Sequence, residues 1–343
     1  MKITFTVDPE LPVPPEHYGG VERIADMVVR GLSSRGHEID LIANAASSVP
    51  VPLVAWPGRS SMSRIDTLQN AIRLTRHVLL SRPDVIASFS RIAYLTPVLP
   101  LPVPKVMTYH RSITPRAVRW GHDLSRGTLQ FTAISRWMIQ SVQQIGSWTV
   151  VPNCVPLETY EFRPQVAPDA PFVFLGRIEE IKGPHFAIEL ARRTGRKLVI
   201  AGNIPDEKRG WAEAEVMSRV DGDMVRYVGP VDDAQKNALL REAAALLMPI
   251  LWDEPFGLVM AEAMACGTPV LGLRRGAVPE VVEDGVTGFV RDTLEQLVEA
   301  ARQLPTIDRA SCRRAVEVRF SEAAVVDAYE AVYSAAIDCR GRS

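Results

Sequence analysis

Short apolar runs alternate with helical patterns along almost the whole 343-residue chain, and this rhythm constrains the fold more than any single motif. Parallel strands cannot be joined by tight turns, so each connection must cross back over the sheet, usually as a helix. The first half offers strands at Lys2–Val7, Glu38–Ala43, Asp84–Ser88, Lys105–His110, Phe131–Ser135 and Trp148–Val151. The second half offers Phe172–Leu175, Lys197–Ala201, Val225–Val228, Ala245–Met248, Pro269–Leu273 and Gly288–Arg291. Between them, Val21–Arg35 sets Ile24, Val28 and Leu32 on one helical stripe and stops at Gly36. Five prolines (Pro152, Pro156, Pro164, Pro168 and Pro171) break any regular element between the halves, which places a hinge there. The final helix is predicted over Ser321–Ile337, with Ser321 as its cap and Glu322 beside it. The rhythm predicts an α/β chain in two parallel-sheet units.

Length and composition agree with two such units. The usual prior is about 150 residues per domain, and a hydrophobic fraction of 47% can fill two cores. The net charge of −1 hides an asymmetry, because residues 59–136 carry twelve Lys or Arg against three acids, a formal +9, and the remainder is −10. That region reads either as a solvated face or as an attraction for an anionic acceptor or a membrane surface. The same two readings apply to the amphipathic helix Ser63–Leu80, which contributes Arg64, Arg73 and Arg76. Cys154, Cys266, Cys312 and Cys339 have neither metal-ligand spacing nor a dense framework, so reduced thiols are expected. No run approaches the roughly 18 apolar residues of a membrane span. The start of the chain shows no secretion signal, and a cytoplasmic location is expected, with peripheral membrane contact through residues 59–136 as a further option.

The chemistry concentrates in Glu254-Pro255-Phe256-Gly257-Leu258-Val259, followed by Glu262 and closed by Gly267-Thr268-Pro269-Val270. Pro255 and Gly257 are poor interior helix residues, whereas Leu258–Cys266 is rich in good formers, so a helix should start near Gly257. Glu254 then lies on the preceding loop and Glu262 in the second turn. The free N–H groups of Phe256, Gly257, Leu258 and Val259 would make an anion site flanked by acids able to grip hydroxyls. Binding a nucleotide sugar requires such a combination. A second block, Phe172–Leu175 followed by Gly176-Arg177 and then Lys182-Gly183, reads as a buried strand leading into two cations.

The paired blocks resemble the donor-binding motifs of the retaining glycosyltransferases of family 4, whose fold is GT-B: two Rossmann-like domains facing a central cleft, with the last helix crossing back to the first domain. The resemblance implies an N-terminal acceptor-side domain at 1–160 plus 321–343 and a C-terminal donor domain at 161–320. It implies that Arg177 and Lys182 hold the donor pyrophosphate and that Glu262 accepts from the ribose hydroxyls. Glu254 would meet the transferred sugar and stabilise positive charge at its anomeric carbon. Gly19-Gly20, opening the Val21 helix, resembles the family loop over the donor phosphate, and Pro12–Tyr18 before it reads as a mobile loop. His110 matches a position near the reacting bond, although Arg111-Ser112 departs from the usual run and suits a negatively charged acceptor. Pro230 and Val231 match a loop that contacts the base through backbone groups.

Each residue also has a plainer reading. Arg177 and Lys182 could be a solvated pair, Glu262 an ordinary helix acid, Glu254 an acid complementing a helix dipole, Gly19-Gly20 a tight turn, and His110 a strand-end residue without a role. Asp221-Gly222-Asp223 has the Asp-x-Asp form of metal-dependent glycosyltransferases, but Asp-Gly is also an ordinary turn. The turn reading leads to an expectation of no metal and no cofactor beyond the NDP-sugar donor, UDP first and GDP second, with a sugar, glycolipid or anionic acceptor and no nucleic acid as partner. A nucleotide-sugar epimerase and an inactive nucleotide-sugar-binding protein are the alternatives.

Overall fold

The computed structural model describes residues 1–16 and 19–340. The chain divides into two compact units, one of residues 1–153 with 322–343 and one of residues 154–321. The division falls at the start of the Pro-rich stretch.

The N-terminal unit is a seven-stranded, all-parallel sheet in the order β3-β2-β1-β4-β5-β6-β7. Its strands are β1 (Lys2–Thr6), β2 (Glu38–Ala43), β3 (Leu53–Ala55), β4 (Val85–Ser88), β5 (Lys105–Tyr109), β6 (Leu129–Ala133) and β7 (Trp148–Val150). Its helices are α1 (Gly20–Ser34), α2 (Arg64–Ser81), α3 (Ile92–Leu95), α4 (Pro115–Ser125) and α5 (Arg136–Ile139). On one face, Leu74 and Val78 of α2 share a core with Tyr94, Leu95 and Val118. The C-terminal helix Glu322–Arg340 packs on α1 in this same unit, as expected. Gly31 admits it, since a Cβ there would lie 2.5 Å from Val326 Cγ2. Arg35 pairs with Glu330 at 2.6 Å and His37 with the same carboxylate at 2.9 Å. Ser321, just before that helix, donates its hydroxyl back to the Glu317 carbonyl at 2.7 Å.

The C-terminal unit is a six-stranded parallel sheet in the order β10-β9-β8-β11-β12-β13. Its strands are β8 (Phe172–Leu175), β9 (Leu198–Ala201), β10 (Val225–Tyr227), β11 (Ala245–Met248), β12 (Val270–Leu273) and β13 (Gly288–Arg291). The crossovers are α6 (Pro184–Thr194), α7 (Arg209–Glu215), α8 (Asp233–Glu242), α9 (Leu258–Ala265), α10 (Val278–Val281) and α11 (Leu294–Ala301), with α12 (Arg309–Arg319) closing the unit and α13 being the Glu322–Arg340 helix. Strands β8, β9, β11 and β12 read as continuous apolar runs because helices cover both faces.

Three sequence expectations change. β3 was not anticipated: its three residues sit between Pro52 and Pro57, too short for a periodic signal. β6 begins two residues earlier than expected, because Leu129 pairs with Lys105 at the start of the ladder. Lys105, counted within the basic region, is fully buried and donates to the carbonyls of Leu99 and Leu101 and to Thr128 Oγ1, at 2.9, 2.6 and 2.6 Å. It ties the β5 entrance together and adds no surface charge.

Candidate active site

In the C-terminal sheet, the chain winds outward from β8 through β9 to β10, then returns to the other side of β8 through β11. At such a switch point the loops leaving the carboxyl ends of the two strands diverge, and ligands of open α/β sheets bind in the crevice between them. The loop after β8 carries Arg177 and Lys182, and the loop after β11 carries Glu254. The two loops are locked together, since the Leu251 N–H donates to the Ile181 carbonyl at 2.8 Å. Gly183 makes this approach possible: it sits at φ 76°, and a Cβ would lie 2.0 Å from the Pro249 carbonyl oxygen.

Lys182 Nζ donates to Glu254 Oε2 at 2.9 Å and lies 4.4 Å above the Trp252 ring. Trp252 Nε1 donates to the same carboxylate oxygen at 3.1 Å. The side chains of Lys182 and Glu254 are only 18% and 12% exposed, so the pair is poorly screened. Arg177 is half exposed and pairs with buried Glu179 at 2.8 Å. The backbone of Glu254 is held from the loop after β12, where the Ala277 N–H, at the N-cap of α10, donates to its carbonyl at 2.8 Å. Helix α9 then starts at Leu258 after Gly257 in the left-handed region at φ 79°, one residue from the expected start. The N–H groups of Phe256, Gly257, Leu258 and Val259 donate to no acceptor among the described residues.

Glu262 stands in the second turn of α9. Its Oε1 accepts from the Tyr160 hydroxyl at 2.7 Å and from Lys236 Nζ at 2.8 Å, while Oε2 accepts no hydrogen bond among the described residues. Burial first, and the Glu262 charge second, push the Tyr160 phenol far above its ordinary range, so it remains a donor. One oxygen of the carboxylate is therefore fixed and the other is free. Pro230 and Val231 follow β10, beside Gly229, whose carbonyl accepts from the Gly202 N–H at 2.9 Å. Gly202 in turn lies against Gly176, where a Cβ would come within 1.8 Å of the Gly176 oxygen. The loops bearing Arg177 and Pro230-Val231 are thus strung along one edge of the sheet.

The N-terminal sheet has its own switch point, between β1 and β4. There Asp8 is buried, its Oδ1 accepting the Arg91 N–H at 3.0 Å and its Oδ2 lying 3.6 Å from Arg111. Burial raises its pKa to about 6, against the opposing charge of Arg111. Glu22 of α1 is also buried and shifted upward for the same reason. Gly19 is the N-cap of α1 and Gly20 its first residue. A Cβ on Gly19 would meet Pro15 Cβ at 2.7 Å and Glu22 Oε2 at 2.9 Å. Of the Pro12–Tyr18 loop, His17 and Tyr18 lie outside the described residues. Its described part is tied down, with the Val13 N–H donating to Ser47 Oγ at 3.0 Å and the Val13 carbonyl accepting the Ser48 N–H at 2.8 Å. His110 follows β5 with its ring centroid 4.7 Å from that of Phe89. Burial lowers its pKa to about 4, with Asn153 opposing, so the imidazole is neutral.

The structure brings Arg177, Lys182, Glu254, the four amides of residues 256–259, Glu262, Pro230 and Val231 to the carboxyl edge of one sheet, and Gly19, Gly20 and His110 to that of the other. Asp221 belongs to neither, since its Oδ1 accepts the N–H groups of Asp223 and Val225, both at 3.0 Å, as in an ordinary turn. Trp252, Tyr160, Lys236 and Asp8 were not anticipated. Trp252 stands two residues before Glu254 and Asp8 two residues after β1, positions that could have flagged them, whereas Tyr160 and Lys236 meet Glu262 only through the fold.

Residues 161–317 match the glycosyl transferases group 1 model and residues 18–159 the glycosyltransferase family 4 model. The chain is 33% identical over 185 residues to D-inositol 3-phosphate glycosyltransferase of Mycolicibacterium smegmatis, covering 49% of this chain and 41% of that protein. It is 27% identical over 307 residues to phosphatidyl-myo-inositol mannosyltransferase of Mycobacterium leprae, covering 79% of each. The alignment thus reaches less than half of the Mycolicibacterium protein's length. Among solved structures, HepE of Anabaena in complex with UDP has a TM-score of 0.76 at 18% identity, covering 98% of this chain and 100% of that one. With both units matched and the donor-motif residues gathered at one switch point, the chain belongs to the family 4 glycosyltransferases and has their GT-B fold.

Proposed function

We propose that the chain is a retaining glycosyltransferase that moves a hexose from an NDP-sugar, with UDP as the nucleotide, to an anionic or lipid-linked acceptor without a metal ion. The observation that carries this reading is the meeting of Lys182 with Glu254 at the β8/β11 switch point, beside unpartnered helix amides. A pyrophosphate would draw Lys182 and Arg177 to its oxygens and seat on the amides of residues 256–259. Glu254 would then turn to hydroxyls of the hexose, and the free Oε2 of Glu262 would accept from the ribose diol. In this course the acceptor hydroxyl attacks the anomeric carbon on the face the diphosphate leaves. The bond to the diphosphate breaks, the new glycosidic bond forms, and the hydroxyl proton passes to the departing phosphate oxygen. Arg177, Lys182 and the amides stabilise charge growing on that oxygen, a contribution worth several kcal/mol in a dry site. Neutral His110 would orient a sugar hydroxyl by hydrogen bonding and carry no charge at neutral pH.

UDP is favoured because one solved protein of this fold, HepE of Anabaena, was crystallised with UDP and with UDP-glucose. Two relatives carry phosphate-bearing inositols in their names, which supports an anionic acceptor, and the Arg111 guanidinium beside Asp8 gives the N-terminal switch point matching charge. The test is calorimetric titration of UDP, GDP, ADP and their hexose conjugates, with and without EDTA, against wild type and Glu262→Ala. Selective UDP binding that ignores EDTA and weakens in the variant is expected. Binding that requires metal, or no nucleotide binding, would overturn the reading.

A further inference from the structure

Two separate elements satisfy one half of the Glu262 carboxylate and leave the other half open. Tyr160 lies in the Pro-rich stretch before β8 and is buried. Its carbonyl accepts from Arg313 Nη1 of α12 at 2.9 Å, and the same nitrogen donates to the Ala265 carbonyl at the end of α9 at 3.0 Å. The phenol is thereby anchored to the helix that carries Glu262. Lys236 comes from α8, whose start is fixed by a reciprocal cap: the Gln235 N–H donates to Asp232 Oδ1 at 2.8 Å, and the Asp232 N–H to Gln235 Oε1 at 3.0 Å. Its Nζ lies 3.1 Å from Asp233 Oδ1 and 5.4 Å from the centre of the Tyr160 ring. Phenol and ammonium converge on a single atom, Glu262 Oε1.

A carboxylate with two donors on one oxygen cannot turn about its Cγ–Cδ bond without breaking both bonds. The Glu262 side chain is only 14% exposed, so Oε2 is the part of this charge left for a ligand. The two donors do different work. An ammonium is a point charge with three rotatable donors and can serve either oxygen. A phenol has one proton, and with its backbone tied by Arg313 it has one place to aim it. Tyr160 therefore decides which oxygen is taken, and Lys236 compensates the buried charge. Without the phenol, Lys236 is free to slide to Oε2 and compete with an incoming hydroxyl.

We propose that Tyr160 and Lys236 are positioning residues that hold Oε2 of Glu262 for a ribose 2′ hydroxyl, so that the site selects ribonucleotide over 2′-deoxyribonucleotide donors. The inference rests on the reading of this crevice as a nucleotide-sugar site. A deoxyribose would leave the charged oxygen short of a hydrogen bond worth about 10- to 150-fold in affinity. The test is calorimetric titration of the full chain with UDP, GDP and their 2′-deoxy counterparts, in wild type, Tyr160→Phe, Lys236→Met and Glu262→Ala. The ratio of ribo to deoxyribo affinity is taken on the base that binds more tightly. Wild type should prefer the ribonucleotide by about tenfold or more. The ratio should fall to about threefold or less in Tyr160→Phe and Lys236→Met, and to about one in Glu262→Ala. Affinity of Tyr160→Phe for the deoxyribonucleotide should stay within about twofold of wild type, which also shows that this variant is folded. Should Lys236→Met lower the thermal midpoint, Tyr160→Phe carries the decision. A wild-type ratio near one, a full ratio kept in Tyr160→Phe, or equal loss of both nucleotides in that variant would overturn the proposal while leaving the nucleotide site standing. Wild type that binds neither base would remove the donor reading and this inference with it.

Discussion

Asp8→Asn should stabilise the protein at neutral pH. In the unfolded chain this carboxyl titrates at its ordinary value of 3.8, whereas in the folded N-terminal unit burial holds it at about 6. Between those values the folded state binds more protons than the unfolded state, so stability falls as pH rises from 3.8 to 6, and above 6 the loss is complete. A shift of this size costs about 3 kcal/mol. The Arg111 guanidinium recovers little of it, being 64% exposed and 3.6 Å away. Asparagine keeps an oxygen for the Arg91 N–H and carries no charge, so the variant should gain most of that energy. The midpoint of the unit should rise by roughly 6–12 °C. Differential scanning calorimetry of wild type and variant at about pH 7.5 and about pH 4 would measure it, and the gain should vanish at the lower pH. A variant no more stable than wild type at neutral pH, or equally stabilised at both, would refute the argument that Asp8 is a buried, destabilising charge.

Two other substitutions probe the donor side. Lys182→Ala should lower turnover by two or more orders of magnitude in a donor-hydrolysis or transfer assay while leaving the circular dichroism spectrum intact; unchanged turnover would remove Lys182 from the chemistry. Gly183→Ala places a Cβ 2.0 Å from the Pro249 oxygen at φ 76°, so it should destabilise the C-terminal unit by about 2 kcal/mol or more; denaturant unfolding with no change in midpoint would contradict the close packing of the two loops.

Elements whose apolar runs are compact and turn-bounded were legible in the sequence: Phe172–Leu175, Ala245–Met248 and Gly288–Arg291 appear with the expected ends. So was the donor-motif geometry, because the Pro-x-Gly break before Leu258 fixes where the helix can begin and hence which side Glu254 and Glu262 occupy. What escaped depended on long-range contact. Lys105 looked like surface charge because nothing local shows that three oxygens surround its ammonium. Helix α2 reads in sequence as an amphipathic helix with a wet basic face, yet Ile65, Leu68, Ile72 and Leu79 are exposed while Ala71, Leu74 and Val78 are buried, because apolar residues on both sides of a helix do not say which side meets the core. Tyr160 and Lys236 are 102 and 26 residues from Glu262, and no spacing rule connects them.

The Lys182–Glu254 pair makes the crevice self-complementary: each charge is satisfied by the other. A ligand must exchange partners rather than fill a vacancy, and its apparent affinity is reduced by the free energy of the pair it separates. Inorganic phosphate could replace Glu254 at Lys182 but would leave a carboxylate, 12% exposed, with only the Trp252 N–H among the described residues. A molecule that brings an anion and a polyol at the right separation repairs both halves at once. Discrimination against the phosphates abundant in any cell would then follow from the geometry of the resting protein, before any contact with the base is made.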